Sequence, residues 1–268
     1  KMGYTNHTES VSRPSEATVT TSSSGGTTTY NVTAAEGTKR VGSSEGGYVT
    51  FNEPSVNTVS LMYKTGLVTQ GFLWDGTDRA NSTRNTFNNV GSNVIVTINP
   101  NEDITTTEEP YDFWIVSHYD STAKTGTGQS QASWGATDNA TSVAVNLALL
   151  KYFSNEANRA KLKTRLHIAF VDAEEIGILG STALVRQFLD ASDTTNKTNY
   201  PLLASSWGMV NMDTVAGGDF MYVHSSSAGE GNKSTAIRDA LNSVSKSIAS
   251  AKGDSTYELA IHKQYHYK

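Results

Sequence analysis

The sequence predicts a three-layer α/β fold, with a mostly parallel or mixed central sheet and helices on both faces. Three observations carry that prediction. From Tyr111 onward, short apolar runs alternate with helical patterns. The helical pattern over residues 141–153 is too uniformly apolar to lie on a surface. The chemistry-bearing side chains follow directly on the apolar runs, where open α/β sheets place their ligands.

Taken in order, residues 1–34 hold Ser, Thr and Gly with few large apolar residues, and read as a flexible leader outside the fold. The folded domain is expected over 35–268. Residues 93–98 make an apolar, β-branched run closed by Asn99-Pro100, which is the pattern of a strand. Residues 113–116, 166–171, 209–212 and 220–223 are short apolar runs that suit buried strands. Between them, Val143, Ala144, Val145, Leu147, Ala148, Leu149 and Leu150 occupy nearly every face of the 141–153 helix, which is therefore expected to lie buried against the sheet. Residues 178–189 and 235–248 are further helices. No internal repeat is visible.

Composition excludes some classes of function. The 268 residues suffice for one large α/β domain or two small ones. A net charge of -5 provides no basic surface for nucleic acid. Cysteine is absent, so any metal must be held by His, Asp and Glu. No apolar run approaches a membrane span, and the start lacks a signal-peptide pattern. A Ser/Thr-rich leader and zero cysteines point to a secreted or cell-surface bacterial protein.

His118 and Asp120 follow the run at 113–116, and Asp138 and Asn139 open the apolar helix. Glu174 and Glu175 follow 166–171, and Asp213 follows 209–212. Each has an ordinary use: His118 and Asp120 in a polar loop, Asp138 as a helix N-cap, Glu174-Glu175 on a solvated helix face. Independent uses of that kind would scatter, whereas these residues recur after successive strands in βα order. One His and several carboxylates brought to one sheet edge form a ligand set for one or two divalent metals.

The same segments carry a family resemblance. His118-Tyr119-Asp120-Ser121, Gly135-Ala136-Thr137-Asp138-Asn139-Ala140, Asp172-Ala173-Glu174-Glu175-Ile176-Gly177-Ile178-Leu179-Gly180-Ser181 and Asn211-Met212-Asp213 resemble, in order, the signature of the M28 zinc peptidases. The Ala-Glu-Glu-x-Gly-x-x-Gly-Ser string is particularly specific. Upstream, Gly37-Thr38-Lys39-Arg40-Val41-Gly42-Ser43 and Gly66-Leu67-Val68-Thr69-Gln70-Gly71-Phe72 are similar to the family's entry segments, so the resemblance covers residues 35–225.

That resemblance implies a zinc-exopeptidase-like fold and a zinc-dependent aminopeptidase, which hydrolyses the amino-terminal bond of peptide substrates with zinc-activated water. It implies that Asp138 bridges two zinc ions, that His118 and Asp213 complete one site, and that Glu175 belongs to the other. Glu174 would be the general base, Asp120 would orient His118, and the Asp138–Asn139 peptide would be cis. A glutaminyl cyclase or carboxypeptidase on the same fold, or a non-catalytic surface binding module, are the alternatives. The family's final His ligand, usually in a Ser/Thr-Asp-His context, has no counterpart before Lys268. His262 and His266 lack those neighbours, and His224 reads as a pocket-rim or structural residue. The chain as given is thus expected to be truncated at its carboxyl end, to bind at most one zinc tightly where the complete protein holds two, and to have little or no peptidase activity, with replacement by His262 or His266 left open.

Overall fold

The computed structural model describes residues 2, 4, 18–24, 27–33, 38–42, 48–52, 62–74, 89–100, 111–124, 130–131, 133–188, 202, 205–219, 221–225 and 233–261. In chain order the strands are β1 (Thr18–Ser24), β2 (Thr27–Thr33), β3 (Thr38–Gly42), β4 (Tyr48–Asn52), β5 (Gly66–Trp74), β6 (Asn89–Ile98) and β7 (Asp112–His118). They continue with β8 (Ala123–Lys124), β9 (Ser130–Gln131), β10 (Arg165–Val171), β11 (Ser206–Asn211), β12 (Tyr222–Val223) and β13 (Ala260–Ile261). The helices are α1 (Thr141–Phe153), α2 (Glu156–Arg159), α3 (Leu179–Phe188) and α4 (Lys233–Lys252).

The main sheet has the order β11-β7-β10-β6-β5-β4-β3. It is mixed. β7, β10 and β11 run parallel, as the alternation after Tyr111 requires, while β3 to β6 form an antiparallel meander that joins β10 through β6. β10 is buried along its whole length because it has a strand on each side and cover on both faces. Alternate residues separate the two faces. Leu166, Ile168 and Phe170 pack with Val96, Ile98 and Leu150 of α1, while Ala169 and Val171 pack with Ile95, Val116, Leu184 and Phe188, the last two from α3. Helices thus cover both faces, giving three layers.

Several sequence expectations are corrected. The inward row of α1 is Ser142, Asn146 and Leu150, at i, i+4, i+8 spacing, whereas Val145 and Leu147 stay exposed at 41% and 43%. One sheet face covers only one side of a helix, and Asn146 takes the inner side because its Nδ2 donates to Ser117 Oγ (2.9 Å). β11 lies at the sheet edge rather than in its interior, so Met209 is exposed. The strand expected at 220–223 lies outside the main sheet: Tyr222–Val223 pairs instead with Ala260–Ile261. Within the segment read as a leader, Thr18–Ser24 and Thr27–Thr33 pair as an antiparallel hairpin. Their β-branched residues favour extended backbone.

Contacts divide the chain into two units, Lys1–Asp213 and Thr214–Lys268. In the second, α4 buries Asn242, Ser245 and Ala249. Asn242 Nδ2 donates to the Leu259 carbonyl (2.5 Å) and Ser245 Oγ accepts from Leu259 N–H (2.9 Å). No helix among the described residues is long and apolar enough to cross a membrane.

Candidate functional site

β7 ends on His118, which is buried with Nε2 3.0 Å from Asp138 Oδ1 and 3.6 Å from Asp213 Oδ1. One donor atom from each of these three side chains lies within 4.8 Å of the others. Imidazole and carboxylate donors about 2.1 Å from one tetrahedral ion stand roughly 3.4 Å apart, so the two His–carboxylate spacings suit a shared divalent cation. With one nitrogen, two carboxylate oxygens and no sulfur, the donor set fits zinc or a similar metal.

The local backbone explains how Asp138 arrives there. Gly135 has φ +57°, and its N–H is 3.1 Å from Ser133 Oγ. At Asp138 the dihedrals are φ -113° and ψ 95°, and the Asp138–Asn139 peptide is cis, as the resemblance implies. Asp138 is not the N-cap of α1, a position that Ala140 holds, and meets His118 instead. Asn139 is buried and its Nδ2 donates to the Met212 carbonyl (3.0 Å), while Met212 N–H donates to Val116 O (2.8 Å). These bonds tie the Asp138 turn to the residue preceding Asp213. In the sequence Asn139 stands out only as the neighbour of Asp138, because its bond to Met212 spans 73 positions and has no local signature.

Asp120 serves two neighbours. His118 Nδ1 is 3.1 Å from the Asp120 carbonyl oxygen and 3.5 Å from its Oδ1. The carboxylate accepts from both Glu174 N–H (3.0 Å) and Glu175 N–H (3.1 Å). It thereby fixes where the two glutamates leave β10 as well as standing beside the histidine. Neither glutamate carboxylate joins the three-residue ligand group, but both feel its charge.

Electrostatics separate these groups. Burial alone would lower the His118 pKa, but the Asp120 hydrogen bond and the charges of Glu174, Asp120 and Asp213 raise it to about 9. Burial raises the Glu174 carboxyl; Asp213, Glu175 and Asp120 add to that, while His118 opposes it. Glu175 is raised by burial and then by Asp138. Asp120 is also subject to burial, yet the His118 bond and the two glutamate amides hold it below the usual carboxylate range.

The structure therefore brings His118, Asp138 and Asp213 together, with Asp120, Glu174 and Glu175 around them. His262 and His266 lie outside the described residues. His224 is exposed, in the second unit.

A profile described as peptidase family M28 matches residues 93–263. No curated protein matches the chain. Among solved structures, the chain is similar to a glutaminyl cyclase of Bacteroides thetaiotaomicron bound to N-acetylhistamine, at 16% identity over 79% of this chain and 71% of that one, with a TM-score of 0.46. A leucine aminopeptidase precursor from Bacteroides thetaiotaomicron VPI-5482 gives 16% identity, 79% and 71% coverage and a TM-score of 0.45. The LapA aminopeptidase of Legionella pneumophila gives 14% identity, 72% and 41% coverage and a TM-score of 0.37.

Proposed function

Because the chain belongs to peptidase family M28, we propose that it is a zinc-dependent aminopeptidase acting on the amino-terminal bond of peptides, with Glu174 as general base. The observation that carries this reading is the convergence of His118, Asp138 and Asp213, with Glu174 held beside them through its backbone bond to Asp120.

His118 Nε2 and the carboxylates of Asp138 and Asp213 would hold one ion, and Glu175, whose carboxyl feels the charge of Asp138, would join Asp138 at a second. Such an ion, when bound, supplies Lewis acidity to a water and to the scissile carbonyl. Asp120 keeps the ring of His118 in place through Nδ1 and keeps the backbone of Glu174 at a fixed distance from that ring. Glu174 accepts a proton from the attacking water as the water oxygen bonds to the carbonyl carbon. It then delivers that proton to the leaving nitrogen as the C–N bond breaks.

The test uses the full-length protein and short peptides with free or acetylated amino termini, assayed with zinc and again after exhaustive chelation. Release of the first residue from free peptides only, abolished by chelation, is the expected result. Release that survives verified metal removal overturns metal dependence. Loss of ammonia from amino-terminal glutamine without residue release assigns a cyclase, and peptide binding without turnover assigns a binding module.

A further inference from the structure

Between the end of β10 and the first turn of α3, residues 172–180 carry Glu174 and Glu175. Ala173 (φ +53°) and Ile178 (φ +52°) both adopt left-handed conformations that L-residues hold only when their surroundings over-determine them. What over-determines them is on the neighbouring strand. β10 pairs with β6 as far as Phe170↔Val94, and there the ladder ends. One residue further along β6, the side chain of Asn93 takes over the role of a ladder partner.

Asn93 is fully buried. Its Oδ1 accepts from Asp172 N–H (3.0 Å), and its Nδ2 donates to the Gly180 carbonyl (2.8 Å). A single side chain therefore holds both ends of the segment. The same Nδ2 donates to Gln70 Oε1 (2.7 Å), whose own amide nitrogen donates to Ala183 O (2.9 Å) and to Gln187 Oε1, so Asn93 cannot rotate away without breaking a buried chain of amides. Ser92 N–H adds a bond to Asp172 Oδ2 (3.0 Å), and Asp172 Oδ1 accepts from Ala173 N–H (2.9 Å). The fit is close: a Cβ on Gly180 would stand 2.2 Å from Asp172 O and 2.5 Å from Asn93 Oδ1.

We propose that Asn93 is a positioning residue for the hydrolytic reaction, holding residues 172–180 at both ends so that Glu174 keeps its place against His118 and Asp213. The inference rests on the reading of Glu174 as general base.

Four proteins are compared with zinc present: wild type, Asn93→Leu, Glu174→Gln and the double variant, with Ile98→Val on the same strand as a control for lost stability. Asn93→Leu should lower kcat about 10- to 100-fold, the usual cost of losing a supporting hydrogen-bond partner, with KM changed by less than about threefold. In the Glu174→Gln background the same substitution should cost less than about threefold further, since residues acting through one group are not additive. Ile98→Val should keep kcat within about twofold while losing stability. Full additivity in the double variant, or an unchanged kcat in Asn93→Leu, overturns the inference while leaving the function reading intact. Wild-type inactivity, or full activity of Glu174→Gln, overturns the function reading and the inference with it. Where Asn93→Leu is insoluble, Asn93→Ala removes the same bonds, and amide exchange on wild type gives an independent measure. The Asp172 amide should be as protected as those of β10, and rapid exchange there overturns the clamp.

Discussion

β7 and β10 carry a histidine–carboxylate pair at each end, and the two pairs have opposite characters. At the amino end, Asp112 accepts from Arg165 Nε (2.5 Å) and Nη2 (2.8 Å), from His167 Nε2 (2.8 Å) and from Ser205 Oγ. His167 Nδ1 meets Thr97 Oγ1 (2.9 Å), its ring stacks on Trp114 at 4.2 Å, and Arg165 lies 4.4 Å over Tyr63. Asp112, Arg165 and His167 are all fully buried. At the carboxyl end, His118 stands among Asp120, Asp138, Glu174, Glu175 and Asp213, and the Asp138 and Asp213 side chains are about half exposed.

Charge balance makes the difference. One guanidinium offsets one carboxylate at the amino end, so the cluster can be sealed from water and used to fasten strands together. Burial accordingly lowers the pKa of His167, against the Asp112 bond and charge that would raise it. Asp112 is pushed up by burial but is brought down to about 2 by its bonds to His167 and Arg165. At the carboxyl end the carboxylates outnumber the cations, and His118 is raised instead of lowered. A divalent ion is the natural counterweight to such an excess, and open access is what a substrate needs. Residue type alone therefore does not separate a fastening from a site; compensation and exposure do.

The strongest way to break the comparison is at Glu174. Glu174→Gln should lower kcat about 10²- to 10⁴-fold while leaving zinc affinity and thermal midpoint near wild type. Zinc release by this variant, and not by Glu175→Gln, would exchange the roles of the two glutamates.

The amino end should respond in stability rather than rate. Asp112→Ala leaves Arg165 buried without its anion, which costs about 3–5 kcal/mol in urea unfolding, with kcat per folded molecule unchanged. A loss below about 1 kcal/mol would mean that the pair is not fully desolvated in solution.

Acid sharpens the contrast. Asp112 has a folded pKa of about 2, below its unfolded value, so its contribution is complete above about pH 4 and is lost as pH falls toward 2. The contribution is on the order of 2 kcal/mol. His167 is depressed in the folded state, so protonation of the unfolded chain removes stability from about pH 6.5 downward. Urea unfolding from pH 7 to 3 should show a shallower pH slope for His167→Gln than for wild type below pH 6.5. Parallel curves would show that His167 is not held neutral.

The smallest effect concerns the ion itself. Zinc at about ten times its Kd should stabilise the folded protein by about 1.4 kcal/mol, seen as a raised thermal midpoint, and should do nothing for the His118→Ala, Asp213→Asn double variant. Equal stabilisation of both proteins would place the binding elsewhere.

The sequence by itself determined the ligand types, their order after successive strands, and the buried character of β10, because apolar periodicity and strand-end placement are local properties. It also marked the limits of α1 to the residue, though not its exposed side, since no helix pattern states how many of its faces will be covered. In the sequence β3 and β5 are visible only as motif segments, since Thr, Lys, Arg, Gly and Gln interrupt the apolar alternation there. Tertiary structure decided which polar residues fasten and which remain available. Asp112 finds Arg165 across 53 positions, Asn93 finds Asp172 across 79, and Asn139 finds Met212 across 73. Bonds of that span follow no period of 2 or 3.6, because their geometry exists only once β7 and β10 lie side by side and β6 runs on past its last pairing with β10, its next residue becoming the clamp.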